Sequence, residues 1–327
     1  VKAAWYSKLG PARDVLEVGE LPRPVPQPGE VLVELHTSGV NPSDVKSRVG
    51  RPIEGGIIVP HSDGAGVVVE VGEGVARERI GQRVWIWNGQ WQRPMGTAAE
   101  YIALPQRQAV PLPAHVGFEA AACFGIPLLT ALQAVRLAGD LRGRTVLVTG
   151  GGGAVGHYIT QIARRRGATV LATAGSPGRH AHARDAGAAH VIDYKREDVA
   201  ARVKDLTAGA GVDAILDLDF STTARLLPQG VLKPHGRFVC YGSNQRGDLP
   251  IDFRTVLWSS LQFLFFLVYD LLPQDREAVI GEVGRLLEDD ALAHAVGAVF
   301  PLERIVQAHE KVEAGDCVGN VVLRVRG

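Results

Sequence analysis

The alternation of apolar and polar residues changes character about a third of the way along the 327-residue chain. Up to about Val116 the apolar residues come in short β-branched runs, Val31 to Leu35, Gly66 to Val71 and Arg83 to Trp87. Turn formers such as Pro28-Gly29-Glu30 and Gly72-Glu73-Gly74 separate them. Short strands at this spacing predict a compact barrel or sandwich, with no helix-period segment among them. From Gly117 onward Ala and Leu recur at helical steps, broken at Pro127, and strands then alternate with helices. The predicted strands are Thr145 to Thr149, Thr169 to Thr173, His190 to Asp193, Ala214 to Leu218 and Arg237 to Tyr241; Pro177 to Ala186 and Asp198 to Thr207 lie between them. This alternation predicts an α/β fold with a parallel, doubly wound sheet. Beyond Arg254 come an apolar run, a helix near Asp275 to Glu288 and a closing strand at Val321 to Val325. The run, Leu261 to Val268, contains Gln262 and falls far short of the roughly 20 residues of a membrane span, so it belongs to a core or an interface.

Composition narrows the class. The length suits two domains, and 46% hydrophobic with 21% charged residues describes a soluble globular protein. Basic and acidic side chains balance at 35 each, which gives no reason to expect a nucleic-acid or membrane-surface partner. Cys123, Cys240 and Cys317 are far apart and lack C-x-x-C spacing, so neither a disulfide framework nor a zinc knuckle is expected, and a reducing, cytoplasmic setting is. The stretch VKAAWYSKLG has neither a long apolar core nor a cleavage site, so no signal peptide is expected.

The richest chemistry lies in Arg144 to Ala168. Val146, Leu147 and Val148 form a buried-strand pattern, and Gly151, Gly153 and Gly156 then satisfy G-x-G-x-x-G. Val155, Ile159, Ile162 and Ala163 mark one face of a following helix. Strand, glycine turn and helix in this order predict a dinucleotide site. Amides from Gly150, Gly151, Gly153, Ala154, Val155 and Gly156 would face a pyrophosphate at the positive end of the helix. NAD enzymes place an acidic residue about twenty positions on, to bind the ribose hydroxyls. Here that count reaches Ser176, and no carboxylate occurs before Asp185. Ser176 can donate to a 2′-phosphate and Arg179 can pair with it, so NADPH is the expected cofactor; the other duty open to Arg179 is capping or solvating its own helix.

Taken in order, the motifs GVNPSD (39–44), HSDGAGVVVEVG (61–72), GTAAEYIALP (96–105), GIPLLTALQA (125–134), the glycine turn, DAGAAHVIDY (185–194) and PLERIVQAHE (301–310) resemble the medium-chain dehydrogenase/reductase superfamily. The resemblance is to its zinc-free, zeta-crystallin-like quinone reductase branch. It implies a GroES-like β-barrel catalytic domain from residues 1–118 and 263–327, with a Rossmann dinucleotide-binding domain, 119–262, inserted between. It also implies an active cleft between the domains and a homodimer.

In zinc-dependent relatives the stretch matching GVNPSD carries a ligand cysteine, and here Asn41 stands in that place; the ligand histidine position holds Ser62. His61, one residue away, lacks partners in sequence and reads as an ordinary surface or cleft residue. No metal is therefore expected. A reduced ketone leaves an alkoxide that needs strong charge stabilisation, whereas a quinone or conjugated alkene spreads the charge. The expected acceptor is thus a quinone, with reduction of an enone, alkenal or enoyl double bond as the alternative. A catalytically idle NADPH-binding protein with a structural or sensing role is the non-enzymatic one.

By resemblance, Asn41 and Thr130 flank the nicotinamide end of the site, although Asn41-Pro42 is also a good turn and Thr130 is able to bond its own helix. Lys46 stands where related reductases carry a tyrosine; it would offer a donor to the acceptor or be a solvated lysine. Tyr194 matches a position beside the adenine ribose, Gly242 and Ser243 a loop along the cofactor, and Asn320 with Cys317 a segment near it. Asp44 and Asp63 resemble a carboxylate pair, with Asp63 expected to be a structural hydrogen-bonder. The bulky Leu264, Phe265, Phe266 and Leu267 would line a pocket or, the favoured reading, bury at a dimer edge.

Overall fold

In the computed structural model, which describes residues 1–53, 56–245 and 247–326, the chain divides into two units. The first comprises Val1–Ile126, Leu287–Asp290 and His294–Gly327, and the second Pro127–Leu286 and Ala291–Ala293.

The first unit realises the expected barrel. Its strands are β1 (Lys2–Trp5), β2 (Glu17–Glu20), β3 (Glu30–Val40), β4 (Asp63–Val71), β5 (Arg83–Ile86), β6 (Tyr101–Pro105) and β7 (Ala109–Pro111). β3 is central because it pairs with β4 and β6 and also with a strand from the far end of the chain. Val31, Val33 and Leu35 point from it into a core with Val68, Val84, Ile86, Ile102 and Leu104. At 11 residues β3 runs past its apolar run because Thr37 and Ser38 are buried as well.

A helix at Pro42–Gly50 follows, where the sequence pattern indicated none. Its buried residues are Asp44 and Arg48, one helical turn apart, so its inward face is charged and apolar periodicity is blind to it. Arg48 is fully buried and pairs with Glu313, at the end of the helix Ile305–Ala314. Alongside lies His61, which is buried rather than at a surface or cleft. Its Nδ1 is 2.9 Å from Ser38 Oγ and its Nε2 2.9 Å from His309 Nε2. Burial pushes its pKa down to about 3 and that of His309 well down, so both rings are neutral at ordinary pH. The partner that sequence spacing did not reveal is 248 residues away.

The second unit is a six-stranded, all-parallel sheet built from β8 (Thr145–Val148), β9 (Thr169–Ala174), β10 (His190–Asp193), β11 (Val212–Asp217), β12 (Leu232–Cys240) and β13 (Gln262–Phe265). The order β10-β9-β8-β11-β12-β13 is that of a doubly wound dinucleotide-binding sheet. The α/β architecture expected from the sequence is therefore present. Two boundaries differ: the first unit runs on past 118 to Ile126, and residues 263–286 stay with the second unit and do not return to the barrel at 263. The reason for the second is the register of β13, whose Gln262 to Phe265 pair with Arg237 to Cys240 and complete the sheet. The return comes with β14 (Val296–Pro301) and β15 (Asn320–Arg324), the latter lying antiparallel on β3.

The Arg48–Glu313 pair is unequally solvated, with Arg48 sealed and the Glu313 side chain 35% exposed. Removing the carboxylate strands a buried cation, whereas removing the cation leaves a carboxylate that water can reach. Glu313→Ala should therefore destabilise by about 3 kcal/mol and Arg48→Met by distinctly less, as read from urea unfolding; equal losses would contradict this account.

Candidate functional site

In the second unit the chain leaves β8 at Thr149, whose hydroxyl donates to Asp217 Oδ1 (2.7 Å) and accepts the Leu218 N–H (3.0 Å). Gly150 then turns with φ +64°, a region that disfavours any side chain. Its N–H donates to Thr173 Oγ1 (3.0 Å), and the Gly151 N–H to the Thr173 carbonyl (2.9 Å). The helix Ala154–Arg165 starts directly after Gly153, so the amides of Ala154, Val155 and Gly156 have no helical carbonyl upstream of them. A Cβ on Gly156 would lie 2.3 Å from the Gly150 carbonyl oxygen, so only glycine lets this helix start so close to the turn. The result is a cradle of backbone donors at the positive end of a buried helix, which fits a pyrophosphate.

The residues expected beside the adenine ribose come to the same place. A Cβ on Gly152 would meet the Cβ of Arg179 at 2.5 Å, so the half-buried Arg179 packs its stem against the turn. Ser176 caps the helix Pro177–Asp185 at its N-terminus without using its side chain for the cap. The exposed Tyr194 lays its ring over Gly175, with Oη 2.6 Å from where a Cβ would be. Ser176, Arg179 and Tyr194 thus gather beside Gly150 to Gly156.

The loop after β12 is the neighbouring wall. Leu218 is bracketed by the turn and this loop, since a Cβ on Gly150 would strike its side chain and one on Gly242 its carbonyl oxygen at 2.5 Å. The Gly242 carbonyl accepts the Phe220 N–H (3.1 Å), and Ser243 Oγ donates to the Gln245 carbonyl (2.8 Å). Asp219 accepts both the backbone and side-chain N–H groups of Asn244 at 2.8 Å. Burial raises the pKa of Asp217 to about 6 in spite of bonds from Thr223 and Thr149. For Asp219 burial acts the same way, yet the bonds from Ser221, Asn244 and Thr222 prevail and lower its pKa. These two aspartates, which sequence reasoning passed over, fix the loops on either side of Leu218. Their only signal was Asp-Leu-Asp closing an apolar strand. Thr130 is buried near the start of the helix Leu129–Ala138, behind a π-helical turn that contains Pro127.

In the first unit, Asn41 caps the helix Pro42–Gly50. Its N–H donates to Asp44 Oδ2 (2.7 Å) and its Nδ2 to Asp63 Oδ2 (2.8 Å). Asp63 is thus a hydrogen-bond partner of Asn41, and both turn and amide duties fall on that one asparagine. Burial raises the pKa of Asp44 to about 7 and that of Asp63 well above the carboxylate range. Lys46 is exposed on the same helix. Asn320, buried at the start of β15, donates from both N and Nδ2 to the Ala295 carbonyl (2.8 and 2.9 Å), and Cys317 packs at the margin of an apolar cluster.

The donors around Asn41 do not suit zinc. They are an amide and two carboxylates already bonded to one another, with the Thr97 hydroxyl bonded to the Asp63 backbone carbonyl, where zinc favours thiolate and imidazole. Among the described residues no three His, Cys, Asp or Glu side chains converge as a metal site would require.

Two family models match the chain, an alcohol dehydrogenase GroES-like domain over residues 27–114 and a zinc-binding dehydrogenase over 154–285. The quinone oxidoreductase of Rattus norvegicus is 30% identical over 308 residues, which cover 92% of this chain and 90% of the relative. Among solved structures, one described as an NAD-dependent alcohol dehydrogenase superposes with a TM-score of 0.88 at 30% identity, covering 100% of both chains. A mycobacterial protein complexed with NADPH superposes with a TM-score of 0.85 at 29% identity, over 99% of this chain and 100% of that one. With the barrel, the doubly wound sheet and the glycine turn in place, this chain belongs to the medium-chain dehydrogenase/reductase superfamily, in its quinone reductase-like branch.

Proposed function

We propose that the protein is an NADPH-dependent reductase that delivers hydride to a quinone, without a metal. The observation that carries the cofactor choice is the packing of Arg179 against Gly152, with Ser176 and Tyr194 beside it and no carboxylate between the end of β9 and Asp185. A mycobacterial relative was solved with NADPH, in keeping with this reading, while another is described as NAD-dependent. The arginine is thus the discriminating feature within the chain itself.

The reduced nicotinamide, when bound, supplies the hydride. The residues of this chain hold and orient. Glycine-turn amides grip the pyrophosphate, Ser176 and Arg179 the ribose phosphate, and Gly242 with Ser243 line the cofactor. Asn41, whose Nδ2 donates to Asp63, is assigned to the nicotinamide end of the site. Thr130 and Lys46 are the further donors assigned to the reacting groups. Rate then comes from positioning two reactants, and a quinone asks for little more because its product charge is delocalised. The same arrangement serves an activated alkene, and the rat relative's name favours the quinone.

No helix among the described residues is long and apolar enough to cross a membrane. Among the described residues the edge strand β13 pairs only with β12, while Phe265 on it and the nearby Leu267 and Trp258 are exposed. An apolar, unpaired edge of this kind calls for cover, and we assign that role to a second copy of the chain.

Three outcomes are expected. Sedimentation equilibrium should show a dimer that Phe265→Glu dissociates; a native monomer would remove the assignment. Arg179→Ala should raise KM for NADPH ten- to a hundredfold, the loss of about 1.5–3 kcal/mol, and leave KM for NADH nearly unchanged; equal effects on the two cofactors would contradict it. Metal-stripped protein should oxidise NADPH in the presence of a quinone series, more slowly with enones. NADPH binding without turnover on either series would point to the idle, non-enzymatic role.

A further inference from the structure

The helix that carries Arg179, Pro177–Asp185, has almost no apolar face with which to dock. Of its nine residues only Ala183 is buried, and one methyl group does not fix how a helix is turned about its axis. Imidazole rings hold it instead. Near its start His180 Nε2 donates to the carbonyl of Ala174, at the end of β9 (3.2 Å). One turn beyond Arg179, His182 lays its ring on that of His157 in the helix Ala154–Arg165, with centroids 4.1 Å apart and planes 9° from parallel.

His157 is a fixed platform. It is buried, and its Nε2 donates to the Ala293 carbonyl (3.1 Å). Gln161, one turn along the same helix, closes on the same residue: its Nε2 donates to that carbonyl (3.0 Å) and its Oε1 accepts the Ala293 N–H (2.8 Å). Both helices and Ala293 lie within the second unit. His182 meets the platform with its face, since its Nε2 is buried without a hydrogen-bond partner among the described residues. Burial lowers its pKa, Asp185 opposes the fall and Arg179 adds to it, so the ring is uncharged at neutral pH.

Arg179 and His182, three residues apart, share one side of their helix. Arg179 packs its Cβ against Gly152, so the glycine turn and the His157 ring hold that side at two points one turn apart. Without the His182 ring the helix keeps the His180 bond and is able to roll. A small roll swings the guanidinium, at the far end of a long side chain, away from the turn.

We propose that His182 is a positioning residue: stacked on His157, it sets Arg179 beside the glycine turn and thereby governs the preference for NADPH over NADH. The proposal rests on the reading above that Arg179 pairs with the 2′-phosphate. The amides assigned to the pyrophosphate belong to the turn and to the helix Ala154–Arg165, so the roll leaves NADH binding untouched.

The test is equilibrium binding of NADPH and NADH to the full chain, read from nicotinamide fluorescence, which needs no turnover. His182→Ala should raise Kd for NADPH about three- to tenfold, the range of one ring–ring contact, and leave Kd for NADH within about twofold of native. His182→Phe, which keeps a flat ring, should restore NADPH affinity. His182→Gln, which keeps a polar side chain but no ring, should match His182→Ala and serves in its place if that variant fails to fold. In an Arg179→Ala background, removing the His182 ring should add nothing. Native NADPH affinity in the ringless variants, equal losses for the two cofactors, no recovery in His182→Phe, or a further loss on top of Arg179→Ala would each overturn the proposal. If Arg179→Ala weakens NADPH binding alone and the ringless variants do not, only the positioning role falls. If Arg179→Ala itself leaves NADPH binding unchanged, the 2′-phosphate reading falls and the positioning role with it.

Discussion

The approach of Gly156 to the Gly150 carbonyl is the contact on which the candidate cofactor site depends. A side chain at Gly156 would push the helix Ala154–Arg165 off the turn, because its Cβ space ends 2.3 Å away on the Gly150 carbonyl, backbone that cannot rotate aside, and one at Gly150 would strike Leu218. With both glycines in place, the helix N-terminus opens at the carboxyl ends of the parallel strands, where a doubly wound sheet binds its ligands. Its neighbours inherit their positions from that contact. Gly152 admits the stem of Arg179, and Leu218 fills the space beside Gly150, so the Gly242 loop is set by the same turn. Thr149, Asp217 and Asp219 then lock this arrangement with hydrogen bonds that exclude alternative loop conformations.

The barrel is held differently. Its apolar core is ordinary, but beside it lies a polar interior in which Arg48, His61, His309, Asp44 and Asp63 are all buried. Such an interior is stable only when its members bond to each other. The His61 to His309 and Arg48 to Glu313 contacts both join the N-terminal part of the unit to the helix Ile305–Ala314. The chain's return to the barrel is therefore specified by polar pairs as well as by the antiparallel register of β15 on β3. Because these contacts are directional, they select one docking of that helix where a purely apolar face would tolerate several.

What could be read in the sequence divides along the same line. The parallel strands were legible because a strand covered on both faces is an unbroken apolar run, and His190–Asp193 came out residue for residue. The glycine turn was legible because its chemistry is local. The helix Pro42–Gly50 was not, since it buries an aspartate and an arginine and turns its valines, Val45 and Val49, toward partial or full exposure. Nor was the pairing of His61, whose partner is joined to it only by folding. The boundary at 263 failed for a related reason: Leu261 to Val268 is apolar enough for a core, and only the register on β12 tells which core it completes. Asp217 and Asp219 lay hidden because a carboxylate at a strand end is common and their partners come from the turn after β8, the short helix Phe220–Thr223 and the loop after β12.

The Asn41 to Asp63 bond bears on why a member of this superfamily manages with these residues. By the resemblance, relatives that use zinc place ligands at the positions of Asn41 and Ser62, so the metal ties the end of β3 to the start of β4. In this chain a 2.8 Å hydrogen bond spans that junction, and Asp44 secures the Asn41 backbone from the other side. Two carboxyl groups buried near one asparagine disfavour each other's charge, and burial, with the nearby Asp44 adding to it, drives the Asp63 pKa upward. The junction of β3 and β4 is consequently held by hydrogen bonds among buried groups whose charge burial disfavours.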